Sequence, residues 1–149
     1  MKKSILTTAF ALFLLAGSAF SQDILQSQVP SLTLNKFQQS FPKASNVEWE
    51  LKGDLYKVEF EIGLLGVDHS VWYDKAGTMV KHKEEISSTD LPKSVLAAIN
   101  KDYKGFRISD VKKISEGNTV SYTLDLKSFT QEWKMAYDSN GKLLQKIAD

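Results

Sequence analysis

Cysteine is absent from all 149 residues, which excludes disulfides, thiol nucleophiles and thiolate metal sites together. The same absence removes the residue that bacterial lipoprotein acylation requires at its cleavage point. Histidine is nearly absent: His69 and His82 are the only two, and they stand in no metal-binding spacing such as His-x-x-x-His. Neither sign of charge dominates. With 19 Lys and Arg against 18 Asp and Glu, interspersed, the chain has no basic stripe for nucleic acid and no polybasic anchor for a membrane surface.

Long apolar runs are also scarce. The run from Ile5 to Ala16 falls short of the ~20 residues that a spanning helix needs, so no membrane insertion is expected. Lys2 and Lys3 precede it and Ala19-Phe20-Ser21 follows, a pattern that reads as a signal peptide over residues 1–21 with cleavage after Ser21. Loss of Lys2 and Lys3, with no acid in the leader, takes the formal charge from +1 to −1. A periplasmic or secreted protein is expected.

What the remainder contains is a repetition. Tyr73-Asp74-Lys75-Ala76-Gly77 returns 64 positions later as Tyr137-Asp138-Ser139-Asn140-Gly141. Each copy opens with a helical spacing. Over Val29 to Phe41, Leu34, Phe37 and Phe41 recur with Ser31 as candidate cap and Pro42 as stop. In the second copy Asp90 is the candidate cap, Pro92 falls near the first helical position, Val95, Leu96, Ile99 and Tyr103 form one face, and Gly105 closes the helix.

Alternating strands follow: Tyr56, Val58 and Phe60 answer to Val120, Tyr122 and Leu124, then Val71 and Tyr73 to Met135 and Tyr137, then Met79 to Glu84 to Leu143 to Ile147. The opening strand is clear in the first copy through Val47, Trp49 and Leu51. In the second, Val111 matches Val47 at offset 64, which sets Trp49 against Lys113, or against Ile114 after a slip of one residue. Asp74 and Asp138 begin type I turns, and Gly77 and Gly141 supply the left-handed residue of a G1-bulge hairpin. The expected fold is α+β, a tandem repeat of one helix plus a four-stranded antiparallel sheet. Residues 22–88 form the first repeat and 89–149 the second, the two sharing an interface because each alone is marginally large enough to be stable.

The patterns Pro30 to Pro42 with Val47-Glu48-Trp49, Tyr73-Asp74-x-x-Gly77, Leu91-Pro92-x-x-Val95-x-x-Ala98-Ile99 and Tyr137-Asp138-x-x-Gly141 resemble the PepSY-like, β-lactamase-inhibitor-like proteins secreted by Bacteroidetes-type bacteria. The resemblance implies a tandem of helix-plus-four-strand units, and a relative that clamps a secreted enzyme with its exposed sheet surface. That relative carries disulfides and this chain cannot, so inhibition of a β-lactamase is not carried over. The resemblance implies protein binding in the cell envelope.

Chemistry-bearing residues are few. His69 reads as a packing position at the register of Trp133, and the run Lys81-His82-Lys83 as a solvated strand edge that discourages pairing. Glu59 with Glu61, and Glu84 with Glu85, lack the nucleophile or orienting partner of an active site. Asp68, His69 and Ser70 alternate across a strand and cannot form a triad. The expectation is a non-catalytic protein without cofactor or metal.

Trp72 lies out of phase with Val71 and Tyr73, as an aromatic anchor on an uncovered sheet face would. Leu64 and Leu65 sit between glycines in a hairpin loop whose counterpart carries Phe129; such tips either fold back onto the core or form a partner surface. Leu64, Leu65, Trp72 and Phe129 are the candidate binding residues. The expected partner is a protein of the cell envelope, and the alternative is a small ligand or lipid carried in a cleft between the repeats.

Overall fold

The computed structural model describes residues 21–149, so the expected leader lies, apart from Ser21, outside the described residues. The strands are β1 (Ser21–Ile24), β2 (Ala44–Lys52), β3 (Leu55–Ile62), β4 (Val67–Tyr73), β5 (Met79–Glu85), β6 (Arg107–Glu116), β7 (Thr119–Lys127), β8 (Glu132–Asp138) and β9 (Leu143–Ala148). Helix α1 (Ser31–Ser40) precedes β2, and α2 (Lys93–Asp102) precedes β6. All nine strands form one antiparallel sheet in sequence order.

Two expectations change. The strands do not divide into two sheets of four, because β5 pairs with β6 from Lys81↔Glu116 to Glu85↔Lys112 and β1 adds a ninth strand along β2, from Ser21↔Lys52 to Ile24↔Trp49. The caps also differ. Ser31 lies inside α1, whose capping position is Pro30, and Asp90 belongs to a short 3₁₀ turn, leaving Pro92 at the cap of α2. A proline that caps gives up a backbone donor that the first helical turn leaves unpaired in any case.

Both helices lie on the same face of the sheet. On α1, Phe37 buries among Trp49, Val58, Phe60, Val71 and Tyr73; on α2, Val95 and Ile99 bury among Val111, Leu124, Leu126, Met135 and Tyr137. Each fully buried aliphatic or aromatic side chain here contributes about 1.5–3 kcal/mol relative to exposure. The helices are short and carry ordinary propensity, so this burial rather than hydrogen bonding within the helix holds them in place.

The turns are built alike. Asp74 Oδ1 accepts from the backbone N–H of Ala76 at 2.9 Å and of Thr78 at 2.8 Å, and Asp138 Oδ1 accepts from Asn140 at 2.8 Å and Lys142 at 3.0 Å. Gly77 and Gly141 have φ of 72° and 81°. Bulges interrupt β2 between Ser45 and Glu48 and β6 between Ser109 and Lys112, and in each the residue with positive φ is polar, Asn46 at 51° and Asp110 at 50°. Those bulges settle the register of β6: Lys113 pairs with Tyr122 and shares its face, whereas Ile114 points to the opposite side.

Candidate binding surfaces

Alternation along the strands puts Glu48, Glu50, Lys57, Glu59, Trp72, Lys81 and Lys83 on the face away from the helices. Among the described residues that outer face has no covering helix. Trp72 lies on it, half-buried, with Nζ of Lys57 and Lys81 over its ring at 5.7 and 5.3 Å from the centroid. The lysines come from β3 and β5, which flank β4, so the indole is held between two cations.

Lys57 is buried although charged, at 6 % exposure. Its ammonium lies 2.6 Å from Glu59 Oε1 and 3.2 Å from Glu50 Oε2. Burial alone would depress the lysine, but the hydrogen bonds it donates to the two carboxylates outweigh it and hold Lys57 above its ordinary pKa. For Glu50, burial acts upward, yet Lys57, Ser21 and Lys52 together keep the carboxyl below its usual range. Towards the end of the sheet that carries the β3–β4 loop, the outer face forms a concavity of about 400 Å³ lined by Glu48, Glu59, Glu61, Asp68, Lys83 and Lys112. Its lining is charged and suits a polar partner better than a lipid tail.

Leu64, Leu65 and Phe129 are fully exposed, the first two on the β3–β4 hairpin tip and the third on the β7–β8 tip. Because strands alternate in direction, these two hairpins turn at the same end of the sheet. Four strand spacings separate them, about 19 Å. Trp72 is near the other end of β4, so the structure brings the loop-tip residues to one rim and places the tryptophan apart from it. Asp74, Gly77, Asp138 and Gly141 form the turns at the end opposite the tips.

A second group of residues gathers on the helix face. The reading of Lys81-His82-Lys83 as a sheet edge is overturned, since β5 is interior, bonded to β4 and β6. His69 pairs in register with Glu84, and His82 pairs with Val71, which puts His69, His82 and Glu84 on one side. His69 Nδ1 and His82 Nε2 are 3.1 Å apart. Ligand atoms from the three side chains all lie within 4.8 Å of one another. Burial holds His69 below its ordinary pKa against the opposing charges of Glu84 and Asp68. Burial likewise lowers His82, against Glu84 and with the aid of His69 and Lys113. The histidines stand 13 positions apart in the chain, and only the β4–β5 pairing reveals that they meet.

Among the described residues no helix is long and apolar enough to cross a membrane. Comparison with curated proteins finds no match. Among solved structures, the fold is similar to a BLIP-like protein from Bacteroides fragilis at 20% identity and TM-score 0.64, covering 80% of this chain and 85% of that one. It is also similar to a DUF2874 family protein from Bacteroides uniformis at 16% identity and TM-score 0.67, covering 80% and 88%. A third, from Bacteroides eggerthii and described as "putative periplasmic proteins", shares 14% identity at TM-score 0.68, again covering 80% and 88%. The family described as "Putative beta-lactamase-inhibitor-like, PepSY-like" matches twice, over residues 19–80 and 54–145. These two matches together run from residue 19 to residue 145, and this protein belongs to the β-lactamase-inhibitor-like, PepSY-like family.

Proposed function

We propose that this chain is a non-catalytic binding module of the periplasm that docks a protein of the cell envelope against one rim and the open face of its sheet. The observation that carries the reading is the placement of Leu64, Leu65 and Phe129, the most exposed large apolar side chains among the described residues, on two hairpin tips at one end. Exposing them to water costs each its burial energy, and a partner that covers them recovers it. The strands that carry both tips are paired along their length, which limits the ordering cost on binding. The charged outer face beside them favours a polar, complementary partner surface.

Within this reading, residues 1–21 are an export signal whose removal leaves Gln22 to open β1, and residues 22–88 and 89–149 are two like units, each holding a helix followed by four strands, with β1 added to the first. The test compares wild type with the triple variant Leu64→Ser, Leu65→Ser, Phe129→Ser in crosslinking and recovery from periplasmic extract. A partner that the wild type retains and the variant loses at least tenfold supports the reading. Equal recovery of every partner overturns the loop-tip assignment, and equal recovery by Trp72→Ala removes the tryptophan from it.

A further inference from the structure

We propose that His69, His82 and Glu84 form a binding site for a divalent transition ion of the zinc class. The site lies on the helix face at the middle of the sheet, apart from the rim and outer face assigned to protein docking.

Strand pairing supplies the arrangement. His69 and Glu84 are directly opposite across β4 and β5, and His82 is two positions from Glu84 on the same side, so all three side chains project from two adjacent interior strands. A tetrahedral ion with bonds of about 2.0–2.1 Å to imidazole nitrogens sets two such ligands roughly 3.4 Å apart. His69 Nδ1 and His82 Nε2 already stand at 3.1 Å, so closing on an ion requires a shift of a few tenths of an ångström, on the order of ordinary side-chain relaxation. The Glu84 carboxylate lies within the same 4.8 Å cluster and supplies the negative charge that the two neutral imidazoles lack.

The rings are held where a ligand set needs them. Phe60 stacks on His69 with centroids 5.2 Å apart and planes 9° apart, and Phe41 meets His82 edge-on at 5.5 Å. Side chains whose orientation is set by packing lose little freedom when they bind an ion. The histidines are half-buried rather than sealed, which leaves a path for the ion and for water at the remaining positions. Two imidazoles with one carboxylate select zinc, copper, nickel or cobalt over calcium and magnesium, which take oxygen ligands.

Lys113 is the built-in competitor. Its Nζ lies 3.1 Å from Glu84 Oε1, so an ion must share or displace that contact. Replacing Lys113 by Gln should therefore tighten binding severalfold, by freeing the Glu84 carboxylate and by removing a positive charge that faces His82.

The experiment titrates Zn²⁺ into the untagged protein by calorimetry, with Ca²⁺ as the control, alongside His69→Gln, His82→Gln and Lys113→Gln. Expected are one Zn²⁺ per chain, no Ca²⁺ binding under the same conditions, at least tenfold weaker Zn²⁺ binding in each histidine variant, and tighter binding in Lys113→Gln. Imidazole ¹⁵N shifts of the wild type, recorded on adding Zn²⁺, should move at both histidines and need no variant to fold. Failure of the wild type to bind one Zn²⁺, affinity unchanged in a folded histidine variant, or ¹⁵N shifts that stay put overturns the site.

Discussion

Lys113 stands in β6 where Trp49 stands in β2, each three residues beyond the bulge residue of positive φ, and each on the helix face. The neighbours explain the exchange. Trp49 is 4 % exposed and meets the ring of Phe37 edge-on at 5.4 Å, with short β1 beyond it. Lys113 faces β5 instead, where Glu84 provides a carboxylate 3.1 Å away. Trp49→Ala should cost about 3–5 kcal/mol, the range for an excavated aromatic core position. Lys113→Ala breaks a pair that is about a third exposed and should cost roughly 0–1 kcal/mol. Urea unfolding of the two variants checks the contrast.

The equivalent turn glycines should differ in their tolerance. Both carry positive φ, so alanine at either costs about 1–2 kcal/mol of backbone strain. At Gly77 an added Cβ meets Thr33 Oγ1 at 3.3 Å, whereas at Gly141 it meets the backbone oxygen of Ser94 at 2.4 Å. A main-chain atom in the first turn of α2 cannot swing aside. Gly141→Ala should therefore destabilise by roughly 1–3 kcal/mol more than Gly77→Ala, the cost of overpacking, with the difference read from unfolding midpoints at unchanged slope.

The buried lysine predicts opposite pH limits for one network. The folded pKa of Lys57 is raised, so its contribution is complete below the ordinary value of 10.5 and is lost as pH rises through the folded value. The folded pKa of Glu50 is lowered, so its contribution is present above the ordinary value of 4.5 and is lost as pH falls through the folded value. Lys57→Met removes both partners' dependence on each other. Its stability-against-pH curve should run flatter than that of the wild type on the alkaline side, measured by denaturation at a series of pH values.

The helices and most strands were legible because their burial follows a period the sequence displays: Phe37 and Ile99 at helical spacing, Val58 with Phe60 and Tyr122 with Leu124 at strand spacing. The outward phase of Trp72 could be read from the same alternation. β1 could not. Its four residues hold one apolar side chain, Ile24, and they are extended because β2 offers a template. The interior position of β5 was hidden for a related reason: its second ladder is made with β6, across α2, and charges at Lys81 and Lys83 imitate an edge. The same long-range pairing determines whether Glu84 faces Lys113 or water, so the competitor was invisible until β5 and β6 were placed side by side, whereas the histidine contact rests on the exact register of the β4–β5 hairpin.

Every strand is hydrogen-bonded only to those before and after it in the chain, and β1 and β9 occupy opposite margins of the sheet. Tension applied between Gln22 and Asp149 would therefore load the outermost ladders first and open their bonds one after another. A molecule wired this way peels under pulling instead of resisting in shear, and it yields at low force from its two borders inward.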